Sequence, residues 1–332
     1  MSNLYSRYLN LLFNIRKNNF LTFIDKHDKL YQEATRSKDY TEAANHYYQT
    51  MAEIIEVFYG PSWQFCPPQY HKQPRSEAIK SLHQTIARMI QHAPGKCSLD
   101  MGCGLGGALQ EISTYSGGKT VGVSLSEEEC KEANLLIKQK DLEKLCNVVQ
   151  GNSLQLPFSE SSFDSTYSIY SFKYLPSHQL KQGFSEAFRV LKPGGSFLLY
   201  DAILTKQYNP DNAEHSSLAK KLTYLTAMPP LHNLEELLEN ANQAGFQLVT
   251  QLNLSQERKW FHYFVEDKLL MWSVSSKIVP NLMKILEKTK ALSEGFTKFY
   301  RDFLADTVNT IVELGKKDLV TFSQILVFKK NN

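Results

Sequence analysis

The spacing of apolar residues changes character once along the chain. Up to about residue 93 they recur every three or four positions, in Leu4–Ile15, Tyr40–Phe58 and Glu77–Ile90, and that period predicts helices. Between the last two lies Tyr59-Gly-Pro-Ser-Trp-Gln-Phe-Cys-Pro-Pro68, an aromatic segment whose glycine and prolines exclude regular structure. From Cys97 onward, short apolar runs alternate with amphipathic stretches. Cys97–Met101, Thr120–Ser124, Asn147–Gln150, Ser165–Ile169, Ser196–Asp201 and Gln247–Leu252 are predicted strands, and Gln324–Phe328 is a last one after a long helical stretch. Such alternation predicts an α/β fold with a doubly wound, mostly parallel, seven-stranded, Rossmann-like sheet. The predicted organisation is an N-terminal helical cap over 1–93, which includes the aromatic segment, and a core over 94–332. No internal repeat or low-complexity tract interrupts either part.

Composition mainly excludes. The 332 residues are 42% hydrophobic and 12% aromatic, enough for a large core. A net charge of +3, from 37 basic and 34 acidic residues, gives no reason to expect a nucleic acid partner. Cys66, Cys97, Cys103, Cys130 and Cys146 form no C-x-x-C pair and no metal-type spacing, so reduced thiols and no bound metal are expected. Residues 1–24 lack the apolar core and cleavage site of a signal peptide, and no apolar run reaches the length of a membrane span. A cytoplasmic location is expected, with any lipid substrate met from the aqueous side and membrane contact limited to the periphery.

The chemistry begins at Leu99-Asp100-Met-Gly102-Cys-Gly104-Leu-Gly106-Gly107. This segment closes a predicted strand and opens a helix, where glycines let main chain approach a ligand and the helix N-terminus faces it. Gly102, Gly104 and Gly107 also satisfy the dinucleotide pattern G-x-G-x-x-G, which is weak evidence alone. Asp100 stands two residues before the first glycine, a long helical stretch precedes the motif, and the second strand ends in Ser124 where a nicotinamide enzyme needs a ribose-binding acid. These features argue against a nicotinamide cofactor. Further along stand Gly151-Asn152-Ser153-Leu-Gln-Leu156-Pro157-Phe158, then Ser162-Phe163-Asp164, then Arg189-Val-Leu191-Lys-Pro193-Gly194-Gly195. In the last of these a helix ends, proline and glycine force a turn, and a strand is expected from Ser196.

Each motif alone is an ordinary turn. In this order and spacing they resemble the class I S-adenosylmethionine-dependent methyltransferases. The resemblance implies that Asp100, Gly102, Gly104 and Gly106 hold the amino-acid part of S-adenosyl-L-methionine, that Ser124 faces its ribose, and that Asn152 with Ser153 lies on the adenine side. Both usual acids are then replaced by neutral polar groups, which still hydrogen-bond.

Segments outside that core narrow the resemblance. Tyr47-Tyr48 through Glu53, Glu56, Tyr59-Gly60, Trp63 and Phe65 is similar to the aromatic signature of sterol methyltransferases. So are Tyr200-Asp201-Ala202, at the end of the fifth predicted strand, and Tyr208 through Asp211, Glu214 and His215. The resemblance implies that Tyr59, Trp63, Phe65 and Tyr200 line a sterol pocket. Enzymes of that family that alkylate carbon 24 of the side chain carry Glu and His after the fourth strand. This chain has Tyr170 and Tyr174 in Tyr167-Ser-Ile-Tyr170-Ser-Phe-Lys-Tyr174-Leu-Pro176. That run, Met228-Pro-Pro-Leu-His232 and Met271-Trp272-Ser-Val-Ser-Ser276 resemble the nematode sterol 4-C-methyltransferases.

The chemistry accommodates such a switch. Alkylating a side-chain alkene creates a carbocation, which carboxylates and aromatic faces stabilise. Carbon 4 beside a 3-ketone instead reacts through an enolate, which needs a base and a donor to its oxygen. Tyr170 and Tyr174 suit the donor role, and they serve equally well as apolar lining. For the base, Asp201 ranks first, then Glu56, then His215. The expected function is methyl transfer to carbon 4 of a sterol. The alternatives are carbon 24 transfer, methylation of another small lipid, or a cofactor- or sterol-binding protein without catalysis.

Overall fold

Strands β1 (Cys97–Met101), β2 (Lys119–Ser124), β3 (Cys146–Gln150), β4 (Phe163–Ile169), β5 (Leu191–Leu204), β6 (Phe246–Asn253) and β7 (Val320–Lys330) form one sheet in the order β3-β2-β1-β4-β5-β7-β6. Neighbours from β3 to β5 pair in parallel, whereas β7 runs antiparallel to both β5 and β6. The protein is seen as a computed structural model that describes residues 19–59, 64–255 and 268–331. By contacts the chain divides into two units, each assembled from three separated segments.

The sheet unit comprises Gln64–Thr205, His232–Trp260 and Val320–Asn332. Its helices are α3 (Arg75–Met89), α4 (Gly107–Ser116), α5 (Glu127–Gln139), α6 (Ser177–Val190) and α8 (Leu234–Gln243). β5 is buried continuously from Ser196 to Ile203, as a strand covered on both faces must be. Phe184, Phe197, Phe246 and Phe328 pack at the centre of its core, mostly edge-to-face or tilted, with Phe197 and Phe328 stacked at 6.1 Å, spacings within the range that aromatic pairs favour. A strand was expected to start at Ser196, but β5 starts at Leu191, because Leu191 pairs with Phe163 before the register shifts at Ser165. Lys192, Pro193 and Gly194 form the solvent-facing irregularity between, and the chain is buried again from Gly195.

The helical unit comprises Met1–Trp63, Lys206–Leu231 and Phe261–Leu319. It contains α1 (Phe20–Ser37), α2 (Thr41–Tyr59), α7 (Ala213–Leu225), α9 (Lys268–Ser275), α10 (Ile278–Lys288), the single turn α11 (Phe296–Phe299), a π-helical stretch over Tyr300–Ala305, and α12 (Asp306–Lys316). Its core is aromatic: Phe20, Phe23, Tyr47, Phe299 and Phe303 are buried together. The predicted helix at Leu4–Ile15 lies outside the described residues. No helix among the described residues is long and apolar enough to cross a membrane.

Candidate active site

The candidate residues gather at the carboxyl ends of β1, β2, β4 and β5, where open α/β sheets generally bind ligands. After β1 the main chain turns through Gly102 (φ 88), Gly104 (φ 51) and Gly106 (φ 74), and Gly106 caps α4 in the left-handed conformation. The glycines do different jobs. A Cβ on Gly102 would lie 2.1 Å from Ser171 Oγ, so packing against the loop after β4 requires a hydrogen there. A Cβ on Gly104 would meet nothing within 4 Å. The space over Gly104 is open, and a hydrogen at this position lets main chain there approach a ligand closely. Asp100, 1% exposed, lies at the base of this turn. Burial pushes its carboxyl up to about 8, against the opposing effect of the Tyr167 phenol.

At the end of β2, Ser124 Oγ donates to Glu129 Oε2 at 2.5 Å. Ser126 caps α5 by accepting the Glu129 N–H at 3.2 Å. An acidic first turn is favourable at a helix N-terminus. The carboxylate missing from the strand is therefore returned from five residues downstream. The Ser126-Glu-Glu-Glu129 capping pattern was its available signal. Gly151 N–H donates to Ser124 O at 2.9 Å and ties the ends of β2 and β3 together. Asn152, just beyond, holds its own turn by accepting from Leu154 N–H through Oδ1 at 2.8 Å, and Ser153 occupies that turn.

The third element is the loop after β4. Tyr170 takes a left-handed conformation (φ 62), unusual for a bulky residue and typical of functional loops. Its N–H donates to Tyr200 O at 2.9 Å, and its hydroxyl donates to Phe322 O. Asp201, 2% exposed, accepts the N–H of Lys173 through Oδ2 at 2.9 Å and that of Ala202 through Oδ1 at 2.8 Å. It holds the loop on β5, and burial raises its pKa. Lys173, 9% exposed, lays its Nζ 3.8 Å from the Tyr170 ring centroid and 5.5 Å from that of Tyr174. Burial lowers this amine to about 8, with Asp201 opposing the shift. His232 pins the far side, bonding Leu175 O through Nε2 at 2.8 Å. Phe65 packs on Phe322 and Tyr170, its carbonyl accepts the Tyr200 hydroxyl at 2.5 Å, and Tyr200 is fully buried.

The structure thus gathers Phe65, Tyr170, Tyr174, Tyr200 and Asp201 around one loop and adds Lys173. That lysine is the single charge in an otherwise uncharged run, and comparison of the two replaced positions alone passes it over. His215 belongs to the helical unit, where its Nδ1 accepts the Asn209 N–H at 3.1 Å. Glu56 and Tyr59 lie on α2, but their side chains, like all of Trp63, are outside the described residues. Among the described residues, no three His, Cys, Asp or Glu side chains converge as a metal set.

Residues 99–199 match the methyltransferase domain family. A sterol 4-C-methyltransferase of Caenorhabditis elegans is 35% identical over 331 residues, covering 99% of this chain and 98% of that protein. A cycloartenol-C-24-methyltransferase of Arabidopsis thaliana is 28% identical, covering 94% and 95%. Among solved structures, a putative sarcosine dimethylglycine methyltransferase from Galdieria sulphuraria superposes with a TM-score of 0.66 at 17% identity, covering 84% of this chain and 97% of that one. At that identity the last likeness speaks for the fold alone.

Proposed function

The chain belongs to the sterol methyltransferase family of S-adenosylmethionine-dependent enzymes, and from that premise we propose that it methylates carbon 4 of a 3-keto sterol. The observation that carries the choice of carbon is Lys173. At neutral pH an amine with a pKa of about 8 is mostly ammonium. At an effective dielectric constant of about 20, a unit charge about 5 Å away interacts with it by about 3 kcal/mol, less the opposing contribution of the neighbouring Asp201 carboxyl. That term opposes the carbocation of side-chain alkylation and favours an enolate. The extent and identity of the match to the 4-C enzyme support the same reading.

The residues present fit the cofactor. The open space over Gly104, the carboxyl of Asp100 and the carboxylate that Glu129 brings to Ser124 suit its main-chain-like amino acid, its ammonium and its ribose. Bound there, S-adenosylmethionine supplies a methyl group activated by a sulfonium. The chain's own work is then on the sterol. Lys173, in its neutral form, accepts the proton leaving carbon 4, and the ammonium so formed faces the enolate. Tyr174 donates to the enolate oxygen. Asp201 fixes the loop and the electrostatic environment of Lys173, and the Tyr170 ring supports the amine while its own hydroxyl stays on Phe322. Phe65 supplies apolar lining with the water-excluding character such chemistry needs, and the fully buried Tyr200 holds it in place through its hydroxyl.

The decisive experiment offers matched sterols with labelled cofactor and locates the new methyl by mass spectrometry. A 3-keto sterol is expected to gain a methyl on carbon 4, and its 3-hydroxy counterpart to react at least ~100-fold more slowly, since it forms no enolate. Methylation of a side-chain alkene instead would return the protein to carbon 24 chemistry.

Cofactor affinity should also depend on pH. The buried Asp100 carboxyl is protonated below about 8 in the ligand-free protein, whereas pairing with the ligand's ammonium requires the anion. Binding therefore weakens as pH falls through that value, by about tenfold per unit once protonation is complete. Calorimetry from about pH 8 down to about pH 6, where the ligand's own amino group stays largely protonated, tests this, and a flat profile over that range would remove Asp100 from the ammonium site.

A further inference from the structure

Helix α10, in the helical unit, has two apolar faces where a core helix needs one. Val279, Met283 and Leu286 pack on that unit's buried core. Ile278, Leu282 and Ile285 form a second row with the same spacing and are 68, 54 and 58% exposed. Trp272 on α9, just before, is 52% exposed. Single exposed aliphatics are ordinary, but a contiguous row marks a surface that meets something.

The charges say what. At about 100° per residue, the exposed row lies between the core-facing row on one side and Lys277, Lys284 and Lys288 on the other. All three lysines are exposed, as is Lys290 just beyond the helix. The helix's one acid, Glu287, accepts the Thr297 N–H at 2.6 Å and so is engaged within the unit. An apolar ridge beside a row of ammonium groups matches the boundary between acyl chains and anionic headgroups, with the lysine stems able to reach up to phosphates. A sterol is held in such a bilayer, and no described helix is long and apolar enough to cross one.

We propose that α10 docks the protein on anionic phospholipid surfaces, with Ile278, Leu282 and Ile285 buried among the outer acyl segments and Lys277, Lys284 and Lys288 among the headgroups. The full chain would be sedimented with vesicles of phosphatidylcholine, alone or with about one-third phosphatidylserine. Each basic residue near such a surface contributes about 1 kcal/mol, roughly fivefold in binding. The anionic vesicles should therefore bind about a hundredfold more tightly, and added salt should reduce the difference. Replacing Ile278, Leu282 and Ile285 together by serine should cut binding to anionic vesicles at least ~tenfold. Because these side chains are exposed, the thermal midpoint and cofactor affinity should not change. Lys277→Gln, Lys284→Gln and Lys288→Gln together should bring anionic vesicles down to the phosphatidylcholine level. Absence of vesicle binding, or binding indifferent to both triple variants, would overturn the proposal. So would a concentration-dependent dimer abolished by the serine variant, which would give the ridge to a second copy of the chain.

Discussion

Gly104→Val is expected to weaken S-adenosylmethionine binding by at least ~100-fold in a protein that still folds. The expectation rests on the contrast between two neighbouring glycines. At Gly104 a side chain meets no protein atom within 4 Å, so its bulk enters space left for a ligand. The φ of 51 adds about 1–2 kcal/mol of backbone strain, which a chain of this size tolerates. At Gly102 the added carbon collides with Ser171, so Gly102→Ala should lower stability and affinity together and serves as the contrasting variant. Gly104→Ala, with less bulk and no branching at Cβ, should fall between wild type and valine. Calorimetry beside thermal unfolding separates the cases. A folded valine variant with wild-type affinity would mean that the ligand does not lie over this turn.

Lys173→Met should reduce hydrogen–deuterium exchange at carbon 4 of a bound 3-keto sterol by about 10²–10⁴-fold, the usual contribution of a positioned proton acceptor. The measurement needs no cofactor and so isolates proton removal from methyl transfer. In the wild type, exchange should rise with pH up to about 8 and then level off as the amine becomes neutral. Lys173→Arg should not restore it, because a guanidinium does not give up its proton in this range. Tyr174→Phe should lower turnover with little change in the sterol's Michaelis constant if its hydroxyl serves the enolate. Tyr170→Phe, which frees the Phe322 carbonyl, should act chiefly on stability. If Lys173→Met exchanges normally and Asp201→Asn does not, the acceptor is Asp201.

The strands were legible because buried parallel strands are written as short apolar runs: Cys97–Met101 is the same five residues by pattern and by structure. The longer strands were read short at their ends. Val320 and Thr321 pair with β5, and Val320 to Ser323 are all buried, yet their apolar–polar alternation differs from the continuous apolar run Ile325 to Phe328 that marks the strand. The turn after β1 was legible because its glycines recur between a predicted strand and helix, and three of them take positive φ. The site after β4 was harder. Its candidate groups lie on an irregular turn, where period carries no information, and some of their partners are more than a hundred residues away, such as Phe322 for Tyr170. Glu129 was hidden for a related reason: a carboxylate in a helix's first turn looks like capping, and only the contact with Ser124 shows that it lies at the end of β2.

The placement of β7 has a consequence for the order in which the protein can be made. Its residues, 320–330, are inserted between β5 and β6, not added at an edge. On the ribosome, every residue of the helical unit through Leu319 precedes this strand. Until β7 emerges, β5 presents an unpaired, apolar edge along the very residues that carry Tyr200 and Asp201. Exposed edges of that kind invite pairing with other chains. A nascent chain stalled before Val320 is therefore a candidate for chaperone capture, and a late frameshift would remove the centre of the sheet's antiparallel half while leaving most of the polypeptide in place.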